Sequence, residues 1–414
     1  MNFYEEYIIK LERRIKRIEE DPDPTKLKSN KIRYQIELEL TKERLEGWRQ
    51  GKPFSYGGGR MAGILTRVIG FLSLGEAQFQ TTEPQKYLEQ ARAMGLPVDK
   101  SCDMSTMQAS LTEGGAVPME DVGVCNNHCC TPMLLNRLYV ANALNTLTYY
   151  IDRGFEENEA NLKYVTEQFG EFIEFCEKRF PGVIKYDEDK LIEMEAYEDE
   201  INRIEEEIRQ MAKHKPAPVS GRGGGGRAGG IFHGVGPMDV ELARAVRDEI
   251  AERVAKGIAA VPGEKLRVLW TGVTNPFFMD PYKVLAKWKI AVPRAGRGTW
   301  NFDSWGDRKL TPLEKVAARV ISDTRGGSGT AYVDEIIWNA RDLQVDGIVN
   351  YNMRGCTAAL GLKKIIEERA EKELGIPVLQ LEGAQWDTSY ADEATITAKL
   401  DDFAQMLLSQ RGLA

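Results

Sequence analysis

The sequence predicts an α/β protein of two Rossmann-like parallel-sheet domains, with a helical segment at the N-terminus and long amphipathic helices between them. Three observations lead there. Short apolar runs alternate with helical patterns from Met61 to Phe180, and again, more clearly, from Leu266 to Leu408. Strand–helix alternation of that length means parallel βαβ units with right-handed crossovers. A glycine-rich stretch, Gly221 to Gly230, separates the two halves. The chain of 414 residues is long enough for two or three cores, and 42% apolar with 29% charged residues is ordinary for a globular protein.

Taken in order, Tyr4, Ile8, Leu11, Ile15 and Ile18 lie on one helical stripe, which Asp21-Pro-Asp-Pro24 ends. Tyr34, Leu38, Leu45 and Trp48 continue the spacing in a second helix, so residues 1–60 are expected to form a helical hairpin. It would pack on another helix or another subunit, and a homodimer is expected. The first α/β domain is expected over 61–215. In it Asp121 to Cys125 reads as a buried strand, Thr131 to Asn145 as a helix, Thr146 to Ile151 as a strand and Asn161 to Phe180 as a long helix. Met194, Tyr197, Ile201, Ile204, Ile208 and Met211 form a further stripe able to pair with the hairpin. Residues 216–230 read as a linker and 231–414 as the second domain. There Leu266–Trp270, Gly347–Tyr351 and Pro377–Leu381 are expected strands. Asp280–Trp288, Ala331–Asp342, Thr357–Leu374 and Ala394–Leu408 are expected helices.

Composition excludes several classes of function. A net charge of −8 implies no domain-scale basic surface for nucleic acid. No run of about 18 uncharged apolar residues occurs, so no membrane span is expected. The first twenty residues lack a signal-peptide core, which points to the cytoplasm, where thiols stay reduced and open to metal.

Cys125-Asn-Asn-His-Cys-Cys130 places three of the six cysteines within six residues, at an expected strand-to-helix turn. Cys102 precedes it and Cys356 lies at a later turn of the same kind. In a reduced chain, clustered thiols of this sort point to cluster or metal ligation, against the bland alternative of unrelated buried thiols. Helix N-termini stabilise thiolates and offer N–H groups to cluster sulfides. Cys129 and Cys130 precede the helix opened by Thr131-Pro132. Gly355 lets the backbone beside Cys356 approach a bulky inorganic group. The spacing matches neither a ferredoxin run nor a zinc knuckle.

Cys356 and its helix, Gly375-Ile-Pro-Val-Leu-Gln-Leu-Glu-Gly383, Asp387, and the closing helix with Phe403 and Met406 resemble the C-terminal signature of the 2-hydroxyacyl-CoA dehydratase and benzoyl-CoA reductase superfamily. Cys102-Asp-Met-Ser and Asn126-Asn-His-Cys129 resemble its first two cysteine segments, and the similarity covers roughly residues 61 to 410. The resemblance implies one [4Fe–4S] cluster held by Cys102, Cys129 and Cys356, and electrons supplied by a separate ATP-hydrolysing iron–sulfur activator. This chain has more thiols than that trio. Cys125, Cys130 and Cys176 bring the count to six, which fits the double-cubane branch of the superfamily, with an [8Fe–9S] cluster. Cys176 has a second reading. It shares a helical face with Val165, Phe169, Phe172 and Phe180, as a buried structural thiol would. His128 is then the nearest non-cysteine ligand.

Other features are weaker. The segment 221–230 lacks the Lys-Ser/Thr ending of a P-loop and reads as a linker, or as a lid using Arg222 and Arg227 on an anion. Glu382 and Asp387 follow a strand end and are candidates for proton handling, with salt bridging or capping the alternative. The expectation is therefore an oxygen-sensitive iron–sulfur oxidoreductase that reduces a small molecule with electrons from the activator. The alternatives are a single-cubane dehydratase (a lyase) or aryl-CoA reductase subunit, and a non-enzymatic electron carrier.

Overall fold

The computed structural model describes the chain except residues 1, 24–25, 58, 76–80, 82, 102, 128–137, 139–140, 143, 222–234, 273–274, 294–304, 306–307, 325–326, 357–360 and 414, and the side chains of 59–62 and 104–105. The N-terminal hairpin is α1 (Phe3–Glu20) and α2 (Asn30–Arg49). A capping box starts α1: the Asn2 side chain accepts from the Glu5 N–H, and the Glu5 carboxylate accepts from the Asn2 N–H. Tyr4 meets Trp48 edge-on at 6.0 Å and shares a buried cluster with Leu45, Leu88 and Leu96. That cluster fastens the hairpin to the first lobe.

The first lobe contains β1 (Phe54–Gly57), α3 (Gly59–Ile69), β2 (Leu72–Ser73), α4 (Pro84–Ala93), α5 (Asp103–Glu113), β3 (Val122–Asn126), β4 (Thr148–Ile151), α6 (Glu159–Arg179) and α7 (Glu188–Ala212). The second half of the chain supplies α8 (Pro237–Lys256), β5 (Leu266–Gly272), α9 (Pro281–Lys287), β6 (Ile290–Ala291), α10 (Pro312–Ile321), α11 (Gly329–Asp342), β7 (Gly347–Met353), α12 (Lys363–Leu374), β8 (Val378–Gly383) and α13 (Glu393–Gln410), with the second lobe built on β5 to β8. Each lobe has one four-stranded sheet, ordered β2-β1-β3-β4 and β6-β5-β7-β8, with every pairing parallel. This is the predicted α/β class with two Rossmann-like sheets.

The two strand orders are the same topology written twice. A local detail repeats with them. Gly57 ends β1 at φ +95°, and a Cβ there would lie 2.2 Å from the Val124 carbonyl oxygen of β3. Gly272 ends β5 at φ +117°, with its Cβ position 2.2 Å from the Tyr351 carbonyl oxygen of β7. Both glycines sit where the chain crosses to the other side of the sheet, the place where such folds bind ligands.

Ile201, Ile204 and Ile208 of α7 pack with Leu27, Ile36, Val246 and Ile250, so the 194–211 stripe meets the hairpin as expected, with α8 completing the bundle. Other elements depart from expectation. Strand β1 falls inside the segment assigned to the hairpin, because four residues are too few to display alternation. The helix expected over 131–145 lies mostly outside the described residues. The one expected over 357–374 is seen from Lys363 onward.

Helix α10 comes from the second half of the chain but fills the core of the first lobe. Val316, Ala317, Val320 and Ile321 pack with Leu65, Phe169 and Phe172. Arg153, after β4, donates to the Ile321 and Asp323 carbonyls at the end of α10 (2.8 and 3.0 Å), a cation at a helix C-terminus. On α10 itself Arg319 is 3% exposed and donates to Glu195 and Asp199 at 2.7 Å, with Glu198 at 3.9 Å. Replacing Arg319 with methionine would leave Glu195 and Glu198 buried without their cation. The expected loss is about 3–5 kcal/mol in urea unfolding, against under about 1 kcal/mol if the pair were merely superficial.

Candidate functional site

The carboxyl ends of β3 and β7 carry the described cysteines of interest. In β3, Val122 and Val124 belong to the core shared with α3 and α6. Strand alternation therefore turns Cys125 to the opposite face, in register with Tyr150 of β4. Cys125 is 5% exposed. The chain beyond it is pinned to the turn after β4: Asn127 Nδ2 donates to Asp152 Oδ1 (2.5 Å), and the Arg153 N–H donates to Asn127 Oδ1 (3.0 Å).

Cys356 follows β7 on a tight turn, its N–H donating to the Met353 carbonyl (3.0 Å), and is buried. Gly355 before it has φ +78°, and a Cβ there would lie 2.6 Å from the carbonyl carbon of Ser101. The backbone of the turn carrying Cys356 thus touches the residue that immediately precedes Cys102, across the boundary between the lobes. Only glycine fits this approach, because the φ and the clearance both exclude a side chain.

Further polar links close the same seam. Asp103 Oδ2 accepts from the N–H groups of Trp386 (2.8 Å) and Asp387 (3.4 Å). Its other oxygen is buried and has no hydrogen-bond partner among the described residues. Burial raises the Asp103 pKa, and those N–H groups oppose the shift. Arg354 Nε donates to the Asp99 carbonyl (3.0 Å), and its guanidinium lies 4.8 Å from the Tyr390 ring centre. Arg92 pairs with Asp387 in the other direction across the boundary. The sequence quotes Asp103 within Cys102-Asp-Met-Ser, but no pattern marks Arg92, Asp99 or Arg354.

The remaining predicted residues are placed as follows. Cys102, His128, Cys129 and Cys130, with Arg222 and Arg227, lie outside the described residues. Among the described residues no three His, Cys, Asp or Glu side chains are grouped to hold a metal. Cys176 is not brought to Cys125 or Cys356. It is fully buried with Val165, Phe169 and Phe172, on the Val124 side of the sheet. It also lies in the last turn of α6, whose first turn is the one near the strand ends, about 25 Å away at the helical rise. Burial, reinforced by Glu177, pushes its thiol up to about 12, away from the thiolate a metal needs. Glu382 pairs with Lys363 and accepts from the Tyr390 hydroxyl (2.9 Å). Burial raises Asp387, but hydrogen bonds from Ser389 and the charge of Arg92 outweigh it and hold the carboxyl below its usual range.

These residues fit an iron–sulfur group in three respects. Two buried thiols lie at strand ends, Cys125 on β3 and Cys356 after β7, the Gly355–Ser101 contact joins the Cys356 turn to the residue before Cys102 in sequence, and the buried Asp103 Oδ1 is without a partner among the described residues. Among the described residues no helix is long and apolar enough to cross a membrane.

A family model described as "2-hydroxyglutaryl-CoA dehydratase, D-component" matches residues 69–407. The (R)-phenyllactyl-CoA dehydratase alpha subunit of Clostridium sporogenes is 23% identical over 352 residues, 79% of this chain and 81% of that protein. The (R)-2-hydroxyglutaryl-CoA dehydratase subunit alpha of Acidaminococcus fermentans is 24% identical over 281 residues, 66% of this chain and 57% of that relative's length. With most of its length matched and both lobes included, the chain belongs to the 2-hydroxyglutaryl-CoA dehydratase D-component family.

Proposed function

We propose that this chain is the cluster-bearing component of a low-potential iron–sulfur enzyme acting on a small molecule. The observation that carries the reading is the contact of Gly355 with Ser101, which joins the Cys356 turn to the segment of Cys102. The trio Cys102, Cys129 and Cys356 would hold a [4Fe–4S] cubane. Cys125, buried on its strand end, and Cys130 exceed what one cubane needs, and they favour an [8Fe–9S] double cubane. Cys176 stands outside this ligand set, so the sixth ligand would be a non-cysteine group, with His128 the nearest in sequence. When bound, such a cluster supplies single electrons at low potential, delivered here by a separate ATP-hydrolysing iron–sulfur activator. The assembly proposed is a cytoplasmic homodimer.

The protein's own residues would fix and shield that group. Asp103 ties the 386–387 turn to the start of α5, and Arg92 with Arg354 brace the seam from either side. Of the two carboxylates considered for proton handling, Glu382 is the better placed. Its side chain is 43% exposed and carries the Tyr390 hydroxyl. Asp387, tied to Arg92 and Ser389, acts as a positioning residue.

A second reading, a single-cubane dehydratase-type subunit on Cys102, Cys129 and Cys356, is favoured by the two relatives, both dehydratase alpha subunits. Iron and acid-labile sulfide in anaerobically purified protein separate the two. About eight irons and nine sulfides per chain are expected for the double cubane, and about four of each for the single one. Cys130→Ser should lower iron in the first case and leave it unchanged in the second. Cys176→Ala should retain the full iron content, and iron loss in a folded Cys176→Ala protein would put that thiol back in the ligand set. Gly355→Ala should lose at least half of the iron with far-ultraviolet circular dichroism unchanged, since the added methyl meets Ser101 backbone; full retention would sink the seam as the cluster's place.

A further inference from the structure

Helix α5, which begins directly after Cys102, is buried but polar. Every side chain from Thr106 to Thr112 is buried. On one side Met107 and Leu111 pack with Leu88 and Trp386. The hydroxyls of Thr106, Ser110 and Thr112 turn back onto the carbonyls of Asp103, Thr106 and Gln108 at 3.1–3.3 Å. Gln108 has no such recourse. It is 1% exposed, and neither its Nε2 nor its Oε1 has a hydrogen-bond partner among the described residues. A buried carboxamide in that state carries the full desolvation penalty of its donors and acceptor, which native proteins rarely tolerate without a purpose.

The topology says which side of the sheet this helix covers. The crossover β1–α3–β2 puts α3 on the Val122 and Val124 face. The return from β2 through α4 and α5 to β3 crosses the sheet in the opposite direction. A right-handed connection therefore lays α5 on the other face, the one Cys125 occupies. Gln108 lies about 7.5 Å along the helix axis from Asp103, the first residue of α5. Asp103 Oδ1, on the same helix, is the third buried polar atom there with no partner among the described residues.

We propose that Gln108 binds the small molecule that reacts at this site. Its Nε2 donates to a ligand carbonyl and its Oε1 accepts from a hydroxyl on the adjoining carbon, the pairing that a 2-hydroxyacyl group offers. The assignment rests on the iron–sulfur reading for its location, but its readout is separate from metal content. A site built to hydrogen-bond a substrate group rejects analogues that lack it, so Gln108 would set specificity for the hydroxyl.

The test is calorimetric titration of cluster-loaded wild-type and Gln108→Leu protein with (R)-2-hydroxyglutaryl-CoA and (R)-phenyllactyl-CoA, and with the matching acyl-CoA lacking the hydroxyl. Iron is counted in parallel. The expected result is binding of a hydroxyacyl thioester by the wild type, weakened about tenfold or more by Gln108→Leu at unchanged iron, with the hydroxyl-free thioester far less affected. Equal affinities in the two proteins would overturn the proposal and leave Gln108 a core amide satisfied by water. A wild type that binds none of the thioesters would overturn it as well. Iron-free preparations of both proteins would count against the cluster reading alone, since the affinity ratio is read independently. If Gln108→Leu does not fold, Gln108→Met, unbranched and close in length, takes its place with the same expectations.

Discussion

The architecture depends on one close approach of two backbones. At Gly355 the second lobe lies against Ser101 of the first with no room for a methyl group between them. Everything proposed for the site follows from this. The turns proposed to carry ligands, on separate sheets, act together only if the lobes meet at their strand ends, and a single side chain at residue 355 would hold them apart. The Asp103, Arg354 and Arg92 links then surround the contact and resist sliding, with hydrogen bonds whose donors come from both lobes.

Much of this was legible in the sequence, unevenly. The strands around Cys125 and Cys356 stood out because buried parallel strands are continuous apolar runs. Gly355 reads in the sequence as room for a bulky inorganic group, whereas what its bare Cα approaches is the backbone of Ser101, which nothing in one sequence could name. Strand β1 and the two-residue strands β2 and β6 were not legible, since their length leaves no period to read. Nor was the salt-bridged seam, because Arg92 and Asp387 are nearly three hundred positions apart. Such partners are fixed by topology, and local propensity carries no trace of them.

Cys176 shows how far counting can go before geometry takes over. Six thiols in a chain invite a six-ligand cluster, yet a thiol's availability depends on which face of a sheet, and which end of a helix, it occupies. Helical periodicity had already set Cys176 among Val165, Phe169 and Phe172, and the core confirms that company. Its raised pKa has the same cause, an apolar surrounding that refuses charge.

The placement of α10 bears on how the chain can be divided. Because Val316, Val320 and Ile321 complete a core most of whose other walls come from residues before 200, the two halves of the polypeptide are interleaved. A protease cutting in the glycine-rich stretch would nick the molecule without releasing either lobe. Two separately made fragments would each expose apolar surface until they recombined. The chain is thus two sheets but one cooperative body, and the glycine-rich segment joins elements that are already committed to each other.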